Sequence, residues 1–463
     1  MNQKIKLYAA ILIVCSLLST YSFSQTNAGW PQFRGPQNSM IASGTNYPTE
    51  WNDSLNVLWS HDLTGAGWSS PIVFGDKIFV TSAFLEKAAP GSTQNAQPTP
   101  PPPTPTPGTQ QGPPPPQAED NSYKEEVYRW ELTCFDLKTG KELWKQAAHN
   151  GSPGIKKHVG STYACETPVT DGTRVFAYFG MTGIYCYDLD GKLLWQKDLG
   201  AFKTLNGWGT GSSPVVYKDI LYVQVDNEES SFMVALDAAT GNEKWKVNRD
   251  EKTNYSTPVI WNNKFRTELV TTGKSVRSYD PATGNLNWQL NMAGEMAIPS
   301  PVYDSEHIYV GNAGGPGKKG MLYSIKAGAK GDITPADSGL VSNGVDWTVK
   351  NSGISNPSPL LYKGLLYLLG ARGGEFTCMN AATGEQVYKE KIEKVGACWS
   401  SPWAYNDKIY FYDEKGVTQV IQTGKEFKVF SQNKLDDKFW SSVAITKDAY
   451  IFRGVKKLFC VRK

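Results

Sequence analysis

The chain has 463 residues, of which 40% are hydrophobic, and its formal net charge at pH 7 is +3. This near balance of charge excludes a global electrostatic attraction to nucleic acid. Its 15 Trp, 23 Tyr, 18 Phe and 44 Gly residues are typical of a β-rich protein with many turns.

Residues 1–24 have the features of a cleavable secretory signal. A basic start precedes an apolar run at 7–18, and small residues follow up to Ser24. Cys15 lies inside the apolar run, where a lipid-attachment cysteine is not expected. We therefore predict export to the periplasm or the medium without a lipid anchor. No later apolar run is long enough to cross a membrane, so the mature chain is not expected to be transmembrane.

Residues 25–55 are an aromatic and proline-containing lead-in, which includes WPQFRGP at Trp30–Pro36. We expect this lead-in to pack on the outside of the domain that follows. The next stretch, Asn56–Asp62, is a short strand pattern with no strands before it to pair with.

A Ser/Thr-Pro strand opening occurs eight times along the rest of the chain. The copies are 68–71, 165–168, 211–214, 255–258, 298–301, 356–359, 399–402 and 440–443, where Val443 replaces proline. From Thr167 onward the shared Ser or Thr recurs after 46, 44, 43, 58, 43 and 41 residues. Four short strands follow each opening except the last, and this period is typical of one propeller blade.

A second motif closes most repeats, with Asp and Thr-Gly in the turn between the third and fourth strands and an aromatic residue after it. We predict that this aromatic fills the gap between neighbouring blades. The residues predicted to do so are Trp59, Trp144, Trp195, Trp245, Trp288 and Trp347.

The last repeat ends after three strands, and Asn56–Asp62 supplies the missing fourth. Pairing the two ends closes the ring and removes its exposed sheet edges. The sequence thus predicts an all-β fold, an eight-bladed β-propeller of four-stranded antiparallel blades spanning 56–463. Residues 86–122 interrupt the first blade with a proline-rich insertion, predicted to be a solvated polyproline loop.

These motifs resemble the pyrroloquinoline-quinone (PQQ)-like repeat family. The resemblance implies either a quinoprotein dehydrogenase, with PQQ and Ca²⁺ over the central channel, or a non-catalytic propeller similar to the BamB scaffold of outer-membrane assembly. The sequence departs from the dehydrogenase pattern, because it has neither adjacent cysteines nor the CxxCH haem motif. Its six cysteines after the signal are interpreted mainly as small buried thiols.

The resemblance places the strand openings and the loops between second and third strands at one mouth of the channel. The predicted ligand-binding residues there are Trp68, Glu166, Trp208, Tyr255, Asn356, Arg372, Trp399 and Trp440. Their aromatic rings can stack on a planar ligand or a sugar, or simply plug the channel. Candidate Ca²⁺ ligands are Glu166, Asp226, Asn227 and Glu228. Glu166 is the candidate general base if the protein is an enzyme.

Three functions follow from these observations. The first is an exported, monomeric, non-catalytic scaffold that binds envelope proteins. The second is a PQQ- and Ca²⁺-dependent oxidoreductase acting on an alcohol or sugar, and the third is carbohydrate binding by the aromatic collar. The absent cysteine and haem motifs favour the first.

Overall fold

A computed structural model describes residues 29–88, 121–292, 297–313, 320–336 and 339–463. The predicted signal at 1–24 and most of the proline-rich insertion lie outside the described residues. No helix in the described ranges is long and apolar enough to cross a membrane.

The predicted eight-bladed all-β propeller is confirmed, since the strands form eight separate antiparallel sheets around one axis. Blade 1 contains Ile72–Phe74, Lys77–Lys87, Val127–Asp136 and Glu142–Gly151, and blade 2 contains Val169–Thr170, Arg174–Tyr178, Ile184–Asp188 and Leu193–Lys197. Blade 3 contains Val215–Tyr217, Ile220–Val225, Ser231–Asp237 and Glu243–Arg249, and blade 4 contains Val259–Asn262, Thr267–Thr271, Ser275–Tyr279 and Leu286–Asn291.

Blade 5 has an 18-residue excursion, 327–344, before its last strand. Blade 5 contains Val302–Tyr303, His307–Gly311, Leu322–Lys326 and Val345–Val349, and blade 6 contains Leu360–Tyr362, Leu365–Leu369, Glu375–Asn380 and Gln386–Lys391. Within the excursion, Gly331–Asp332 adds a short parallel fifth strand to the outer edge of blade 4. Short 3₁₀ turns occupy Pro36–Asn38, Ser122–Glu125, Gly180–Thr182 and Leu205–Gly207.

Blades 7 and 8 complete the ring. Blade 7 contains Trp403–Tyr405, Lys408–Tyr412, Val417–Gln422 and Val429–Lys434, and blade 8 contains Ala444–Ile445, Ala449–Arg453, Lys457–Arg462 and Val57–Asp62. The N-terminal strand pairs antiparallel with the C-terminal strand, with Trp59 opposite Cys460. The predicted closure by the two chain ends is therefore confirmed, and it gives blade 8 its fourth strand.

The Thr-Gly turn is explained by the blade beside it. In blade 3, Asp237 Oδ1 accepts hydrogen bonds from the amide and hydroxyl of Thr240, and Gly241 has a φ of 72°. A Cβ at Gly241 would lie 2.6 Å from the ring of Trp195 in blade 2. Only glycine therefore allows both the left-handed turn and the close packing of the neighbouring indole.

The indole N–H groups tie most of these tryptophans to the next blade. Trp195 donates to the Ala238 carbonyl over 3.1 Å. The same bond to the following blade is made by Trp59, Trp144, Trp245 and Trp347. Trp288 differs, because its indole donates to Glu268 of its own blade. At that junction Trp261 instead donates to the Asp304 carbonyl of blade 5.

The expectation that the lead-in packs on the outside is wrong for residues 30–41, which lie inside the bore. Trp30 bridges to Val73 on the inner strand of blade 1, and Ile41 bridges to Ala404 on that of blade 7. Between them, Arg34 and Met40 have no exposed surface. The inner strands of a propeller surround a central channel. Residues 30–41 fill one end of this channel.

Candidate functional site

The Ser/Thr of each strand opening belongs to a belt of hydrogen bonds around the axis. Each backbone N–H in this belt donates to the hydroxyl of the corresponding residue in the next blade. Examples are Thr167 N to Ser213 Oγ at 3.0 Å and Ser442 N to Ser70 Oγ at 3.0 Å. Equivalent bonds at the other junctions give the belt seven of its eight links. The repeated hydroxyl is thus structural, because it accepts a hydrogen bond from a buried backbone N–H of the neighbouring blade.

Above the belt lies an axial cavity of about 210 Å³, to which all eight blades contribute. Its wall includes five of the predicted ligand-binding residues, namely Trp68, Tyr255, Asn356, Trp399 and Trp440. Cys165 also lines the cavity. We call this space the axial pocket.

Three indoles form a continuous stack on one side of the axial pocket. The Trp68 and Trp440 rings are 4.1 Å apart at 16°, and the Trp399 and Trp440 rings are 5.3 Å apart at 4°. The stack joins blades 7, 8 and 1, where the chain closes the ring. The stack gives the pocket an aromatic wall. It also stabilises the contacts between blades 7, 8 and 1, where the chain closes the ring.

The floor of the axial pocket is formed by Phe33 of the lead-in. The next residue, Arg34, donates from its guanidinium to the carbonyls of Ser300 and Pro359 at 3.2 and 2.7 Å. Burial lowers the pKa of Arg34 to about 9, because a charged guanidinium loses its hydration there. The backbone carbonyls of blades 5 and 6 therefore hold the Arg34 guanidinium inside the bore, where it blocks the channel. The WPQFRGP motif was the signal for this element, but its position was not predicted.

Glu166 lies outside the axial pocket and is 1% exposed. Burial raises its pKa to about 7, against a smaller opposing effect of a hydrogen bond from Thr210. Its Oε1 atom has no hydrogen-bond partner. Blade 2 therefore contains an isolated carboxyl group whose proton is held by desolvation.

The predicted acidic run of blade 3 is occupied by contacts within the protein. Asp226 forms a two-pronged ion pair with Arg249, at 2.8 and 3.0 Å, and both side chains are fully buried. Asn227 Oδ1 accepts hydrogen bonds from the backbone amides of Glu229 and Ser230. Glu228 accepts hydrogen bonds from the backbone amide and the hydroxyl of Thr253.

These contacts do not fit a Ca²⁺ site. Calcium requires six to eight oxygen ligands, whereas Asp226 already holds a guanidinium and Glu166 has no second carboxylate against it. In the described ranges, no group of three or more His, Cys, Asp or Glu side chains lies close enough to hold a metal ion.

Two other predicted ligand-binding residues do not line the axial pocket. Trp208 is 37% exposed and lies in the loop between blades 2 and 3, after the short turn at Leu205–Gly207. Arg372 is exposed in a loop of blade 6. The six cysteines from Cys134 onward are free thiols, and Cys134 faces Trp144 across its sheet as Ala235 faces Trp245.

Comparisons with known proteins agree with this architecture. The PQQ_2 family model, described as outer membrane protein assembly factor BamB, matches residues 129–294 and 234–338. Search of the curated proteins yields no match.

Two dehydrogenases of solved structure share the fold at low identity. A europium-containing methanol dehydrogenase is 13% identical, with a TM-score of 0.54 over 93% of this chain and 90% of its own. A quinohemoprotein alcohol dehydrogenase from Comamonas testosteroni is 9% identical, with a TM-score of 0.57 over 94% and 80%. BamB from Moraxella catarrhalis is 13% identical, with a TM-score of 0.39 over 64% of this chain and 96% of its own.

The closed ring, the hydroxyl belt and the interblade tryptophans define an eight-bladed β-propeller. More particularly, residues 129–338 of this propeller match the PQQ-like repeat family model, so this part of the chain is similar to that family. That family includes both scaffolds and quinone-dependent enzymes, so the fold does not decide between them.

Proposed function

We propose that this protein is an exported, non-catalytic PQQ-like propeller that serves as a binding scaffold in the cell envelope. The buried ion pair between Asp226 and Arg249 carries this proposal. This pair occupies one of the candidate Ca²⁺ ligands, Asp226, with a guanidinium inside the protein. The proposal is also supported by the family match to BamB.

Three exposed apolar side chains in the loops leading into blades 2 and 3 support a surface for a protein partner. Val159, Leu205 and Trp208 are 64%, 37% and 37% exposed. The loops that bear them pack together, since a Cβ at Gly207 would lie 3.2 Å from Lys156. Exposed apolar side chains with lysines beside them suit an amphipathic, acidic partner surface. We call these residues the rim patch.

Titration with PQQ and Ca²⁺ tests the non-catalytic part of the proposal. We expect no saturable change in tryptophan fluorescence or in the quinone absorption band at concentrations well above micromolar. We also expect no dye-linked oxidation of simple alcohols or aldoses. Saturable binding with turnover, lost in Glu166→Gln at unchanged thermal stability, would instead identify a quinoprotein oxidoreductase.

Trp208→Asp tests the scaffold part. Because a central exposed tryptophan contributes about 2 kcal/mol or more to a protein interface, we expect about a thirtyfold weaker association with an envelope protein that photo-crosslinks to the rim patch. Binding measured with the purified pair checks this value. The matched control is Leu286→Asp, which changes a 51% exposed side chain on the outer strand of blade 4. Equal losses in both variants would contradict the assignment of the rim patch.

The tryptophan stack favours one second function, which is binding of a small planar ligand or sugar in the axial pocket. Trp440 is stacked between Trp68 and Trp399, so the faces left for a ligand to stack on are the outer faces of those two rings. Quenching of tryptophan fluorescence by a sugar panel, lost in Trp68→Ala, tests this function. The arrangement needs no catalytic group and is compatible with a scaffold.

A further inference from the structure

A second cavity, on the rim of blade 1, has no role in the functions considered above. It encloses about 380 Å³. We call it the hairpin groove, and its lining includes Gly65, Phe84, Leu85, Tyr128, Lys157 and Tyr163. The rings of Tyr128 and Tyr163 meet edge to face at 4.9 Å, and the Lys157 ammonium lies 5.4 Å from the centre of the Tyr163 ring.

One wall of the hairpin groove exists only because the middle hairpin of blade 1 is extended. The strands Lys77–Lys87 and Val127–Asp136 have 11 and 10 residues, whereas their counterparts in blade 2 have 5 each. The additional pairs include Leu85 with Tyr128, and both side chains line the groove. The extension therefore adds an apolar, aromatic surface that the ring itself does not require.

The chain leaves this hairpin after Ala88 and returns at Asn121. The intervening 32 residues include the proline runs 100–103 and 113–116. Aromatic-lined grooves are the usual binding sites for polyproline II segments, whose rings pack between aromatic side chains and whose carbonyls accept hydrogen bonds. Lys157 supplies a cationic donor at the wall of the groove.

We propose that the hairpin groove binds the chain's own proline-rich segment, 98–116. This inference goes beyond the scaffold function and does not depend on it. The ten residue steps from Ala88 to position 98 can span up to about 33 Å, so the segment reaches the groove from its own attachment point. Tethering gives it an effective concentration in the millimolar range, which favours it over a free competitor.

Photo-crosslinking in the full chain tests the proposal. Phe84 is 37% exposed, so p-benzoylphenylalanine can replace it at the groove without disturbing the core. We expect intramolecular crosslinks to 98–116. In a chain of the same length with serine in place of the prolines of that segment, the yield should fall about tenfold, because the tether is kept and only the docking chemistry is lost. Equal yields in the two chains, or crosslinks to a second copy, would overturn the proposal.

A peptide titration provides an independent readout. A fluorescein-labelled peptide with the sequence of 98–107 should bind the serine-substituted chain, whose groove is free, and should bind the native chain at least about tenfold more weakly. Equal binding to both chains, or to neither, would show that the segment does not occupy the groove.

Discussion

Replacing Asp226 with alanine is expected to lower the free energy of unfolding by about 3–5 kcal/mol. The substitution leaves the Arg249 guanidinium buried without its carboxylate, and its remaining hydrogen bonds go to neutral groups, Thr271 and Tyr279. Glu251 still attracts it, but a buried charge that loses its directly paired counter-ion is no longer fully compensated for its lost hydration. Denaturant unfolding followed by tryptophan fluorescence measures the change.

Two controls separate the ion pair from general effects at this position. The double variant Asp226→Leu/Arg249→Met removes both charges and should recover most of the loss, because no charge remains buried. Asp76→Ala breaks the ion pair with Lys138, whose side chains are 65% and 67% exposed, and should cost at most about 1 kcal/mol. A loss in Asp226→Ala no larger than that in Asp76→Ala would contradict the importance of the buried pair.

Glu166→Gln is expected to make the protein more stable at pH 8 and to flatten its stability profile between pH 4.5 and 7. Burial raises the folded-state pKa of Glu166 from its ordinary value of 4.5 to about 7. In that interval the folded chain holds a proton that the unfolded chain releases. The free energy of unfolding of the native protein therefore falls as pH rises, by about 3 kcal/mol in total.

Unfolding midpoints measured from pH 4.5 to 8.5 check this expectation. The native curve should fall relative to that of Glu166→Gln and run parallel to it above pH 7. Glu228→Gln serves as the control, since hydrogen bonds from Thr253 and the nearby Lys252 lower the pKa of Glu228 below its ordinary value. Its substitution should leave the slope in this interval unchanged. Parallel native and Glu166→Gln curves throughout would show that Glu166 titrates normally.

Much of the fold was predictable because its determinants are local. The hydroxyl of Ser213 and the turn residues Asp237 and Gly241 act within one repeat or between adjacent repeats. Their spacing therefore specified the blades and their number. The strand closing the ring was identified for the same reason, because a repeat lacking its fourth strand must obtain it from the other chain end. Five residues of the predicted channel mouth also meet at the axial pocket, since each follows from its place in the repeat.

The rest depended on contacts that no local pattern encodes. Arg34 finds its carbonyl partners 266 and 325 residues away, so its place in the bore could not be read from the motif around it. Asp226 looked like a free loop acid until the fold brought Arg249 against it. The sequence by itself determined the ring, because repeated short-range geometry builds it. Only the tertiary structure decided which charges are paired, which are buried and what closes the channel, because those depend on desolvation by distant segments.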